Sequence, residues 1–429
     1  MRFLLFTFLV FLLTNATITC AQPHDQLSGS LEVVPDDSFV VANLTYRYVP
    51  RSSADTAAIF YLPRTVTITS LESPNGNRYQ EIVDTTTYVG KLFKTLVVSL
   101  DTPVQQPVDI KMQYEGTVDL HTFSGISLPD RWIEISPNTV MVTPLPTDFA
   151  VATVDLLVKS PDEYALVGVG ETTSEGPGKT RLRSAEPLRG VYFVLGKDLV
   201  VEAYPYEGDT VTLASSGASD SLKQIVARRI GWTVDFYNRT FGQRQPKQNV
   251  TVTLRPYADW DASFAAGTNY FATYDSGPAF FKNEPFYVGT YAHEIAHFWW
   301  MDADASTADN WLNESLSEYC ALLAIKAQYG DSVFQQKIKE HRAKAEAVPD
   351  SITLTNYERY GEYDQAMAYS VGTLVLHTIY QNAGEEAFYQ LLRKMDTQPV
   401  NTTQQFISLV EDRFGNEPWL EEVSKHLTK

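Results

Sequence analysis

The sequence predicts an α+β multidomain chain, an all-β half followed by a half of a few strands and many helices. Three observations carry this. Up to about residue 205, short stretches alternate apolar and polar residues between turn clusters; beyond it, apolar residues recur at helical spacing. At 429 residues the chain is also too long for one ordinary core. We expect residues 1–22 to be an export signal, 23–205 an all-β domain, and 206–429 an α+β domain.

In residues 1–22, Arg2 gives the positive start and Phe3–Leu13 an apolar run. Thr19-Cys20-Ala21 offers a small-residue cleavage site before Gln22. The run is too short to span a membrane, so no transmembrane segment is expected in the mature chain. An exported protein is the expectation; a lipid anchor on Cys20 is the alternative. With Cys20 removed, Cys320 is the remaining thiol, placed in an apolar helical run that suits packing better than reactivity. Lysine plus arginine number 34 against 52 acids, a net charge of −18, which argues against nucleic acid as a partner.

The β half shows strand-like runs at Phe39–Tyr48, Thr65–Ile68 and Val151–Val158, with turn clusters at Ser73–Gly76 and Glu175–Gly178. A sandwich or saddle of antiparallel strands fits them. Ser215–Ser219 reads as a linker or cap. A helix follows through Leu222, Val226, Ile230 and Val234, closed by Gly242. A strand is expected at Val250–Leu254 and another around Asn269–Tyr274, then helices from Tyr287 onward. Gly330 and Gly384 act as stops, and Thr402-Thr-Gln-Gln405 has the form of a capping box.

The chemistry concentrates at His293-Glu294-Ile-Ala-His297. Two histidines four apart stand one above the other on a helix face, so both imidazoles can grip one ion while Glu294 addresses a water on it. Tyr291, Ile295, Phe298 and Trp299 make the surroundings apolar, and burying such a trio without a metal is costly. Glu314 is the candidate third ligand, opening a second helical run; a first-turn helix cap is its alternative role. Two histidines and a carboxylate around zinc, with the fourth position open, make the hydrolytic arrangement, so one Zn2+ per chain is expected. Glu318, one turn on, is placed to take the second ring proton of a ligand histidine, though an exposed helix glutamate is as good a reading. Asp309 and Asp302 are further candidates for the same task. Zinc lowers the pKa of its water toward ~7, and Glu294 can take that proton and deliver it to a leaving amine. The oxyanion needs another donor, and the residues alone do not choose it among 24 tyrosines.

His293-Glu-Ile-Ala-His297-Phe-Trp-Trp, Asp309-Asn-Trp-Leu-Asn-Glu314 and Glu318-Tyr319 resemble the gluzincin aminopeptidases, the aminopeptidase N and leukotriene hydrolase group. The resemblance implies a β-saddle joined to a thermolysin-like catalytic domain, with His293, His297 and Glu314 as zinc ligands and Glu294 as base. It also implies Tyr369, in Ala368-Tyr-Ser-Val-Gly372, as the oxyanion donor. The chain departs from the pattern in four ways. Sixteen residues, 298–313, separate His297 from Glu314 where the family usually has eighteen; Val371 replaces a lysine beside the tyrosine. Gly267-Thr-Asn269-Tyr stands where the family's Gly-x-Met-Glu-Asn holds the substrate amine, leaving Gly267 and Asn269 as substrate-binding candidates without the glutamate. The family's C-terminal helical domain has no counterpart before Lys429, which leads us to expect a more open site. The expectation is an exported zinc metallopeptidase acting on peptides, with aminopeptidase action from the resemblance. An endopeptidase mode, a non-catalytic zinc-stabilised binding protein and hydrolysis of a non-peptide substrate are the alternatives.

Overall fold

The computed structural model describes residues 24–427 apart from short stretches, the longest being 243–249, 256–264 and 276–281. The expected signal, residues 1–22 with Cys20, lies outside the described residues.

Alternation along the early strands gives each a buried and an exposed face. In Phe39–Tyr48, Val40, Ala42, Leu44, Tyr46 and Tyr48 point inward. Such strands assemble a seven-stranded sheet in the order Glu171–Gly176, Lys179–Leu188, Ala152–Lys159, Asp25–Val34, Phe39–Tyr48, Val108–Thr117, Thr67–Glu72. One pair departs from the antiparallel expectation: Asp25–Val34 runs parallel to Ala152–Lys159. Parallel neighbours require a long connection, and the intervening chain builds further sheets. A four-stranded sheet (Leu145–Pro146, Ala57–Pro63, Lys91–Ser99, Tyr79–Tyr88) packs against the large one, where Tyr46 meets Phe60 edge to face at 4.9 Å. The third sheet orders Trp132–Ile135, Phe193–Lys197 and Tyr164–Gly168. The strand expected at Thr65–Ile68 is Thr67–Glu72, and the turn after it lies, beyond Ser73, mostly outside the described residues.

The change of texture near residue 206 falls at a hairpin. Val200–Tyr206 pairs with Asp209–Ser215, and both belong to a five-stranded sheet continued by Val250–Arg255, Phe271–Asp275 and Ala265–Thr268. Asp209–Ser215 and Val250–Arg255 are parallel, so helix α1 (Asp220–Phe241) is the crossover between them. Ser219 caps it, its hydroxyl accepting from the Leu222 N–H at 3.3 Å. The strand expected around Asn269 is Phe271–Asp275, paired with Ala265–Thr268.

Helices then dominate: α2 (Glu284–Ala296), α3 (Trp311–Tyr329), α4 (Asp331–Ala345), the short turn α5 (Asp364–Ala366), a π-helical turn Met367–Val371, α6 (Gly372–Ala383), α7 (Glu385–Thr397), α8 (Thr403–Phe414) and α9 (Leu420–Leu427). Gly330 and Gly384, at φ 88° and 86°, end α3 and α6. Thr402 and Gln405 form the capping box of α8. Cys320 is buried, and the Trp300 indole N–H donates to its sulfur at 3.2 Å.

A buried ion pair pins the two halves together. Arg255, ending its strand in the second half, donates from Nε to Glu134 Oε2 at 2.7 Å and from Nη2 to Oε1 at 3.0 Å; Glu134 belongs to Trp132–Ile135 of the first half. Both side chains are almost wholly buried, so their geometry must be good to offset desolvation. Glu134→Ala, which removes the bidentate partner of the buried Arg255 guanidinium, should lower stability by about 3–5 kcal/mol. Replacing both partners with Glu134→Leu and Arg255→Met should recover most of that loss in thermal and urea unfolding.

Candidate active site

Helix α2 carries the histidines, and its apolar sequence decides where they face. Tyr287, Val288, Tyr291, Ala292, Ile295 and Ala296 are buried, leaving His293 and His297 on the side toward α3. The Tyr237 hydroxyl of α1 donates to the Ala292 carbonyl at 2.9 Å and fixes the helix from behind. His297 closes α2, its N–H bonding to the His293 carbonyl at 3.3 Å.

Each imidazole is held by its Nδ1. That of His293 lies 2.8 Å from Glu318 Oε2; that of His297 lies 3.1 Å from the Trp300 carbonyl and 3.0 Å from the Ser317 hydroxyl. The opposite nitrogens therefore face a common point. His293 Nε2 and His297 Nε2 stand 3.4 Å and 3.6 Å from Glu314 Oε2, and one ligand atom from each of the three residues lies within 4.8 Å of the others. Donors each ~2 Å from a tetrahedral ion stand ~3.3 Å apart, so this set fits zinc.

Glu314 sits in the first turn of α3 and Glu318 one turn later. Burial works to raise the Glu314 pKa, but the His293 hydrogen bond and the neighbouring imidazole charges outweigh it and bring it down to about 2. Burial likewise opposes ionisation of Glu318, yet hydrogen bonds from His293 and His341 hold it well below the usual carboxylate range. Burial alone would lower the His293 pKa; without a metal, Glu314 and Glu318 instead raise it well above its ordinary value. Glu294 is half-buried between the histidines, and its charge acts on His293 and Tyr369.

Tyr369 comes from the π-helical turn, a geometry often found at functional sites. Its ring stacks on that of His293, with centroids 5.6 Å apart and planes 17° apart. Burial pushes its pKa well above the ordinary phenol, helped by the negative charge of Glu314. The turn is bound to α3 by the Ser315 hydroxyl, which donates to the Ala368 carbonyl. At Gly372 a Cβ would come within 2.2 Å of Ser315 Oγ and 2.7 Å of the Trp311 ring, so only glycine permits this approach.

No family model matches the sequence, and no curated protein matches it. Solved structures do. The chain is similar to an M1 zinc metallopeptidase from Deinococcus radiodurans, with a TM-score of 0.70 at 21% identity, over 94% of this chain and 93% of that one. It is similar to Legionella pneumophila aminopeptidase A, with a TM-score of 0.72 at 17% identity, over 94% of this chain and 49% of that one. Yeast LTA4 hydrolase gives a TM-score of 0.70 at 13% identity, over 94% and 67%. The chain has the fold of the two-domain M1 zinc metallopeptidases.

Within this M1 fold the other candidate residues are dispersed. Asp309 is corrected: its carboxylate does not serve a histidine but takes the backbone N–H and hydroxyl of Thr403, at 2.8 Å and 2.7 Å, and so anchors the start of α8. Asp302 is exposed. Gly267 lies in Ala265–Thr268 opposite Ala272, and Asn269 lies outside the described residues. Val371, where the resembling family carries lysine, is buried in the helical core. Asn313 bridges both backbone groups of Ala303 at 3.0–3.1 Å, bracing the loop before Glu314.

Ser317, His341 and Ser370 escaped the sequence reading. One signal for His341 was there: with Phe334 and Ile338 it completes the buried stripe of α4, where a third apolar residue would be expected.

Zinc must displace the proton that the raised pKa of His293 retains. Affinity should therefore increase with pH, by about tenfold per unit while His293 is protonated, with about one proton released per zinc. Calorimetric titrations in buffers of different ionisation enthalpy measure both. In the metal-free protein the sign reverses: a raised histidine pKa stabilises the fold below its ordinary value, and that contribution disappears as pH climbs through the raised one.

Proposed function

We propose that this protein is an exported zinc-dependent peptidase in which His293, His297 and Glu314 hold one zinc. The observation that carries the proposal is the count and company of the donors. A structural zinc is closed by four protein ligands; the described residues offer a group of three, with the Tyr369 ring stacked on His293 and Glu294 between the histidines in sequence. A metal-stabilised binding protein would need neither of those last two residues.

Zinc, when bound, supplies Lewis-acid polarisation and lets water ionise near neutral pH. Glu294 takes the proton of the attacking water and hands it to the leaving amine. Tyr369 stays protonated and donates a hydrogen bond to the oxyanion. Glu318 holds the Nδ1 proton of His293 and keeps the Nε2 lone pair aimed at the ion.

Peptides are the substrate class this reading selects. A Deinococcus radiodurans metallopeptidase with this fold binds a Tyr-Ser-Ala substrate, two-domain M1 structures hold L-tryptophan or L-arginine, and the Legionella aminopeptidase A holds aspartic acid. These favour release of single residues from the N-terminus. Internal cleavage is the second reading, favoured by Gly267-Thr-Asn269-Tyr, which lacks the glutamate expected to grip the α-amine. Export rests on residues 1–22, with a lipid anchor at Cys20 as the alternative; no described helix is long and apolar enough to cross a membrane.

A peptide library, half of it N-acetylated, tests the proposal. Stepwise loss of residues from free N-termini alone is expected, while internal cuts in both halves would establish the second reading. Glu294→Gln should reduce turnover by about 10²–10⁴-fold and Tyr369→Phe by about 10²–10³-fold, both with zinc retained. Zinc at one per chain without cleavage of any peptide would overturn the peptidase reading.

A further inference from the structure

We propose that His341 is a positioning residue that ties the metal ligand His293 to the turn carrying Tyr369. The inference rests on the zinc reading above and extends it to residues that touch neither metal nor substrate.

Four elements meet in one hydrogen-bonded chain. His293 Nδ1 of α2 lies 2.8 Å from Glu318 Oε2 of α3. The other oxygen, Oε1, lies 3.1 Å from His341 Nε2 of α4. His341 Nδ1 lies 3.1 Å from the hydroxyl of Ser370, in the π-helical turn beside Tyr369. The stack of Tyr369 on His293 closes the circuit.

The directions of these bonds follow from donor chemistry. A carboxylate only accepts, so His293 Nδ1–H and His341 Nε2–H both donate to Glu318. In neutral His341 the remaining Nδ1 is then an acceptor, and Ser370 must donate to it. With one imidazole on each oxygen, Glu318 cannot rotate without losing a bond. His341 therefore keeps Oε2 on His293 and, through Ser370, sets the position of the tyrosine turn.

Burial speaks against an incidental role. His341 is 6% exposed and Ser370 1%; a leucine at 341 would extend the stripe of Phe334 and Ile338 without any polar group to satisfy. The sequence places there a side chain whose two nitrogens meet two different partners.

Three substitutions test this in the full chain, with zinc affinity read by chelator competition and geometry by the visible spectrum of the cobalt-loaded protein. His341→Leu should weaken zinc binding about 10–100-fold and alter the cobalt spectrum. His341→Gln places its amide where Nε2 was, so it should restore affinity to within roughly threefold of wild type. Ser370→Ala should leave zinc affinity unchanged and lower kcat several-fold at constant KM. Wild-type zinc affinity and an unchanged cobalt spectrum in His341→Leu would overturn the proposal. If that variant fails to fold, His341→Asn, which keeps only the Ser370 side, takes its place: affinity lower than in the Gln variant supports the proposal, and equal affinity overturns it. Metal affinity is read without turnover, so a chain that binds zinc yet cleaves nothing would sink the peptidase reading while this comparison still decides the role of His341.

Discussion

The two imidazoles are useful because each is held by the nitrogen that does not face the ion. A free histidine on a helix samples several rotamers and either tautomer, and a ligand pair that must be ordered upon binding loses affinity to entropy. Here Glu318 holds one ring, while the Trp300 carbonyl and Ser317 hold the other. The Trp300 contact depends on how α2 ends: a tight turn follows His297, with the Phe298 N–H on the Ile295 carbonyl and the Trp299 N–H on that of Ala296. Helix termination and ligand orientation are thus one event. Remove the turn, and the Trp300 carbonyl no longer meets His297.

Around that constraint the helices are arranged by close approach. Ligands on α2 and α3 can share an ion only if the two helices pack side by side, and Gly289 of α2 helps make room: a Cβ there would lie 3.7 Å from the Ile325 side chain of α3. The π-helical turn must approach α3 as closely, and Gly372 with Ser315 makes the room and the bond. Asp309 belongs to the same scaffold. By anchoring Thr403 it joins the segment before Glu314 to α8, while the Trp311 indole donates to the same Thr403 hydroxyl at 2.8 Å. The carboxylate that looked like part of the metal site supports it through a distant helix.

What the sequence made legible divides along sequence separation. His293, Glu294 and His297 lie within five residues of one helix, and Glu314 with Glu318 within another, so helical periodicity alone places each set on a face. The change from strands to helices was equally plain. Contacts made across the chain were not. The parallel pairing of Asp25–Val34 with Ala152–Lys159 joins strands whose patterns specify a buried face but no partner. The partner of Asp309 was out of reach because Thr403 lies 94 residues away, and His341 went unnoticed because its partners come from α3 and the π-helical turn. Tyr369 was reached through resemblance to a family, since nothing local separates it from the other tyrosines.

The charge of the site bears on which end of a peptide it would take. Glu294, Glu314 and Glu318 bring three carboxylates to two imidazoles in a buried setting, and like charges so placed normally force one to stay protonated. Instead Glu314 and Glu318 are both held low, because a positive charge sits between them: a proton on His293 without the metal. In the proposed zinc form a dication would take the place of that proton, on a chain that is acidic as a whole. Under the proposed function, these acidic surroundings would favour an α-ammonium group over a peptide's C-terminal carboxylate. The glutamate absent from the Gly267 segment therefore removes a specific contact but not the electrostatic preference. On that reading the charge of the site would favour removal of N-terminal residues over removal of C-terminal ones.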